Sequence, residues 1–260
     1  MPANPTDAAS SDAWAPAFTI TGNHPGQIAL RQIDDHRFVL DESMTIRYEG
    51  VTGLEDVDEL DEAKIEEIRT LTADRLSRTD LASVPGLLRW FTNTYGPHTP
   101  AALIHDWLIG AGRGDAPVID DRFADRYFRF MLASVGVPPL KRWIMWAAVA
   151  LRTRWKSNPF RAATVFLWGL AATAGLVAFV ASLVALFTDL ELPGEVEPGL
   201  VLVLSILGPI PFSALWGRQY GAGLVASFVA PWILPPALFA LLGWIVYRVI
   251  ELVATPFDRH

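Results

Sequence analysis

The chain has 260 residues, with 28 Asp and Glu against 21 Lys and Arg, and no cysteine. With 52% hydrophobic residues and a mean hydropathy of +0.29 it is too apolar for an ordinary soluble domain. The missing cysteines exclude a disulfide frame and a thiolate zinc site, and the acidic balance argues against nucleic acid as a partner.

Charge is unevenly spread. Residues 1–160 hold 22 of the acids and 17 of the Lys and Arg, whereas residues 161–260 hold six and four. This predicts an α+β soluble head over 18–160, with a small antiparallel sheet and helices, followed by an all-α membrane domain. Residues 1–17 have neither the basic start nor the apolar stretch of a targeting segment and read as a disordered tail. Arg outnumbers Lys 18 to three, as in a GC-rich bacterial genome.

Phe18–Thr21, Ile28–Ile33, Arg37–Leu40 and Met44–Tyr48 are short alternating runs separated by turn residues, which predicts two or more antiparallel strands. From Leu54 to Leu76 apolar residues recur at near-helical spacing, with eight acids between Glu55 and Glu67 on the opposite side. Such a face is ordinarily a solvated surface, and the alternative is a protein-binding helix. Leu87–Phe91, Pro100–Ile109, Arg122–Val135 and Pro138–Lys156 read as further helices. The last is basic, carries Trp at both ends and suits the inner surface of a membrane.

About 20 apolar residues are needed to cross a bilayer. Residues 162–187, 199–216 and 222–250 qualify, the second interrupted by Pro209 and Pro211 and the third by Pro231, Pro235 and Pro236. The loop after the first span is acidic and the next carries Arg218, so the positive-inside rule places the head in the cytoplasm of a bacterial inner membrane and the C-terminus outside. Broken helices can serve a transport path. The middle of each span lacks Asp, Glu, Lys and His, which favours a kinked anchor.

Among five histidines, His105 is followed directly by Asp106, and Asp125 comes 20 residues later. If the Gly-rich segment 110–121 joins two antiparallel helices, His105 and Asp125 face each other across them. A carboxylate on one imidazole nitrogen leaves the other free to take a proton from water, a general-base arrangement. Asp106, about 100° around the helix, points elsewhere and is placed to bind a cation. Asp80 and Ser83 fall in a loop as turn or capping residues, or as further site groups; Ser83 lacks a nucleophile-elbow context. Tyr95 and Gly96 form a turn whose carbonyls can approach the same site.

The runs TDLASVP, YGPHTPAALIHDWL, RFADRYF and GVPPLKRWIMW resemble an uncharacterised family of small bacteriophage and prophage domains of unknown function, over about residues 35–155. The acidic insertion at 54–76 and the apolar spans depart from that compact pattern. A weaker resemblance is to phospholipase A2, in which a helix bearing His-Asp faces a helix bearing Asp. It implies His105 as base, Asp125 as its partner and Asp106 as a ligand of calcium or another divalent cation, although that family's Gly-rich calcium loop and cysteines are missing here. The metal-dependent HD phosphohydrolases, using His98, His105-Asp106 and a later Asp, are a third likeness, but the gap from His98 to His105 is short for them. The expectation is therefore a membrane-anchored lipid or ester hydrolase using a His105–Asp125 dyad, with the bilayer as partner. The alternative is a non-catalytic membrane-anchored interaction or structural module.

Overall fold

A computed structural model describes residues 17–33, 37–50, 61–76, 78–79, 95–110, 117–188, 194 and 196–254. The chain is α+β and mostly helical, and it divides into two compact units, one ending at Thr153 and the other running from Arg154.

In the first unit β1 (Phe18–Thr21), β4 (Thr45–Tyr48) and β5 (Thr70–Thr72) form an antiparallel sheet in the order β1-β4-β5, while β2 (Leu30–Gln32) pairs with β3 (Phe38–Leu40). Alternation decides which face is buried: Phe18 and Ile20 pair with Tyr48 and Ile46 and turn inward, and Thr19 and Thr21 face out. Each of the four alternating runs contains a strand.

Helix α1 (Glu62–Arg69) is shorter than the 54–76 expected. Asp61 starts it by accepting the Lys64 amide, and at Thr70 the backbone becomes extended. The reason is local and tertiary together: Thr70, Leu71 and Thr72 are strand-favouring residues, and their backbone completes the ladder of β4 as β5. Residues 54–60 of that expectation, and the helix expected at Leu87–Phe91, lie outside the described residues.

The helices α2 (Thr99–Leu108), α3 (Asp121–Ser134) and α4 (Pro139–Ser157) follow close to expectation. Every residue of α2 is buried, so it is the central helix of the unit, and its apolar side chains join Ile46, Tyr48, Tyr127 and Phe128 in one core. Gly110, at φ 68°, ends α2 in the left-handed conformation that a Cβ disfavours.

In the second unit α5 (Pro159–Phe187) is capped by Asn158, which accepts the Arg161 amide at 2.8 Å. α6 (Pro198–Leu207) continues into a 3-10 segment (Pro211–Gln219) and then α7 (Tyr220–Ala254). Two helices are long and apolar enough to cross a membrane: Pro159–Phe187 and the helical run Pro198–Ala254, in which the second and third expected spans are continuous. In the most apolar window of each, 22% of the residues are buried. The long run is nonetheless reversed at Gly217 (φ 56°, ψ −122°).

Contacts give the directions. Gly175 in mid-α5 lies against Ser205 and Pro209, and Trp168, nearer the start of α5, stacks edge-on at 5.4 Å against Trp216. The α6 and 3-10 stretch therefore runs antiparallel to α5. Ser227 of α7 then accepts the Trp168 indole N–H at 2.9 Å, and Trp232 meets Phe179, so α7 runs parallel to α5.

Candidate functional site

Three helices of the first unit meet at a buried polar network. His105 sits in the last turn of α2 and Asp125 in the first half of α3, and their side chains are in contact: Nε2 lies 2.8 Å from Oδ1. Thr153 of α4 donates its hydroxyl to the same carboxylate oxygen at 3.2 Å. Phe128, one turn beyond Asp125, covers the imidazole with ring centroids 5.1 Å apart. The expected His–Asp juxtaposition is thus realised, across α2 and α3 as the helix spacing requires.

In a neutral ring the carboxylate places the proton on Nε2, which leaves Nδ1 as the lone-pair nitrogen. Nδ1 makes no hydrogen bond among the described residues. The relative exposures of His105, Asp106 and Asp125 are 3%, 1% and 0%. A surface cleft exists elsewhere in the head, lined by Thr21, Asn23, His24, Asp41 and Ser43, and it shares no residue with this network.

Asp106 points away from the dyad, as its neighbouring position on α2 dictates. Its Oδ2 accepts the Thr79 hydroxyl at 2.8 Å, and its Oδ1 lies 3.7 Å from the Arg152 guanidinium. Thr79 is itself fixed by a reciprocal backbone bridge to Phe38, with both N–H to O distances 2.9 Å. Calcium takes six to eight oxygen ligands. Here both carboxylate oxygens face donors, one of them cationic, and no group of three or more His, Asp or Glu converges among the described residues. These surroundings do not fit the divalent cation expected at Asp106.

Asp80 and Ser83 lie outside the described residues. Tyr95 is exposed and stacks edge-on against Phe38 at 6.0 Å, and the Gly96 carbonyl accepts the Thr99 amide at 2.9 Å, so this turn serves the start of α2. Sequence reasoning missed Thr79, Thr153 and Arg152. Thr153 carried a signal, a small hydroxyl on the buried stripe of an otherwise basic helix, whereas Thr79 is placed by a long-range bridge that leaves no local pattern.

A domain of unknown function, DUF1353, is found at residues 58–149, which takes in α1, α2, α3 and the whole His105–Asp125 pair. No match is found among curated proteins or among solved structures.

Proposed function

We propose that the chain is a membrane-anchored protein of three passes with a cytoplasmic head, in which the His105–Asp125 and Asp106–Thr79–Arg152 contacts lock the head's fold. The anchor reading rests on the apolar side chains that α5, α6 and α7 turn outward, among them Phe166, Leu170, Val177, Leu204, Phe239 and Leu242. Up to the reversal at Gly217, residues 198–216 span about 30 Å at 1.5 and 2.0 Å per residue, enough for a pass of its own.

For the head, the deciding observation is burial. Each carboxylate of the network is engaged by donors from other elements, Asp125 by α2 and α4 and Asp106 by Thr79 and α4. A buried carboxylate so satisfied is a tie between elements, and removing a partner leaves its mate unpaired.

A second reading, a membrane-tethered lipid hydrolase, is favoured by one observation: the Nδ1 lone pair of His105 has no hydrogen-bond donor among the described residues, as a general base requires. The two readings separate on the same variant. If the pair is structural, His105→Ala lowers the melting temperature and wild type releases no fatty acid from phospholipid. If it is catalytic, wild type releases fatty acid, and His105→Ala abolishes release with folding spared.

A further inference from the structure

On the first unit, α3 and α4 present a cationic and aromatic surface that the buried network does not use. The Arg129 guanidinium lies 4.2 Å from the ring centre of Trp143 and 4.7 Å from that of Trp146, and the two indoles pack edge to face at 5.4 Å. Trp143 and Trp146 are one turn apart on α4, so they share a face, and Trp143 is exposed.

Arg129 has no ion pair or hydrogen bond among the described residues, its contacts being with aromatic rings. Partial burial lowers its pKa from the ordinary value, and the neighbouring charges of Arg126 and Arg142 lower it further. Arg126 lies one turn before Arg129 on α3 and Arg142 lies next to Trp143 on α4, on a head that is acidic as a whole. Both indoles lie within cation–π distance of Arg129, whose N–H groups form a rigid fork suited to phosphate oxygens.

We propose that Arg129, Trp143 and Trp146, with Arg126 and Arg142 beside them, bind the phosphate of an anionic phospholipid at the surface of the bilayer. This rests on the membrane reading above. Charge complementarity selects the occupant, since juxtamembrane bases attract anionic lipid and indoles partition to the headgroup level. Continuity selects the bilayer as its source: α4 ends at Ser157, and after Asn158 the apolar α5 begins.

The test uses the full chain in nanodiscs of phosphatidylcholine, with and without phosphatidylglycerol, and reads amide hydrogen exchange over Asp121–Ser134 and the first half of α4. Phosphatidylglycerol is expected to slow exchange there, less so at high salt. Arg129→Gln should weaken the effect about fivefold in lipid concentration while still entering nanodiscs. Arg129→Lys, which keeps the charge and loses the fork, and Trp143→Ala should show intermediate losses. Equal protection in pure phosphatidylcholine, or undiminished protection in Arg129→Gln, overturns the proposal. Equal protection by soluble glycerol phosphate overturns the bilayer as source. Failure to enter nanodiscs overturns the anchor reading instead, so the two failures are distinct.

Discussion

His105 of α2 and Asp125 of α3 form a 2.8 Å hydrogen bond with neither side chain more than 3% exposed, and Thr153 of α4 shares the carboxylate. One oxygen thus holds three helices. Asp125→Ala strands two buried donors, and at about 1–3 kcal/mol for each unsatisfied group the head should lose about 3 kcal/mol, on the order of 10 °C in melting temperature. Asp125→Asn keeps an acceptor and should lose less. Melting followed by circular dichroism of detergent-purified protein checks both.

Tyr127 is fully buried, and its hydroxyl has no partner among the described residues. Tyr127→Phe should therefore be neutral or slightly stabilising, since it removes an unsatisfied group with little change of shape. Burial, with repulsion from Tyr48 second, raises the Tyr127 pKa far above its ordinary value of 10.0. The native state then keeps a proton that the unfolded chain gives up, so stability is full below about pH 10 and falls as pH rises beyond it. Denaturant titrations from pH 9 to 11 should show this fall in wild type and a shallower one in Tyr127→Phe.

Gly175 allows α5 and α6 to touch: a Cβ there would stand 2.6 Å from the Ser205 carbonyl oxygen. Close approach at small residues is a main source of helix association in lipid. Gly175→Ala should therefore reduce the yield and thermal stability of the second unit, whereas Gly169→Ala on the same helix, where nothing lies within 4 Å, should leave both unchanged. Size-exclusion profiles on heating give the comparison.

Arg154 donates to the Trp216 carbonyl at 2.7 Å, to Thr164 Oγ1 at 3.0 Å and to the Leu215 carbonyl at 3.2 Å. It thereby satisfies carbonyls just before the reversal at Gly217, where regular helical bonding is interrupted. Arg154→Met should cost about 2–4 kcal/mol, and Arg154→Lys nearly as much, because an ammonium lacks the fork that reaches three acceptors. Unfolding of the second unit in mild detergent with added SDS measures it.

The chain has no cysteine, so single-cysteine variants report topology without background. Three passes predict that an impermeant maleimide labels Val196→Cys and Leu252→Cys in intact cells, and labels Ser134→Cys and Arg218→Cys only after permeabilisation. Labelling of Arg218→Cys from outside would remove the second pass.

Much of this was legible in sequence because the relevant signals were periodic. Strand alternation at Phe18–Thr21 and Met44–Tyr48, the apolar run of α5, and the His105 to Asp125 spacing each follow from a local repeat. Long-range pairing was not legible. Thr70–Thr72 read as the end of a helix until β4 supplied its hydrogen bonds, and Asp106 read as a cation ligand until Thr79 and Arg152 were brought to its oxygens. Pro209 and Pro211 marked an irregularity without revealing that the chain winds through 3-10 turns before it reverses at Gly217.

The most direct test of the structural reading of the head is fatty-acid release from phospholipid vesicles by full-length protein, wild type beside His105→Ala, with melting temperatures on the same preparations. A structural pair gives no release above the vesicle blank and a lower melting temperature for His105→Ala. Release by wild type that vanishes in a His105→Ala protein of unchanged melting temperature would contradict it.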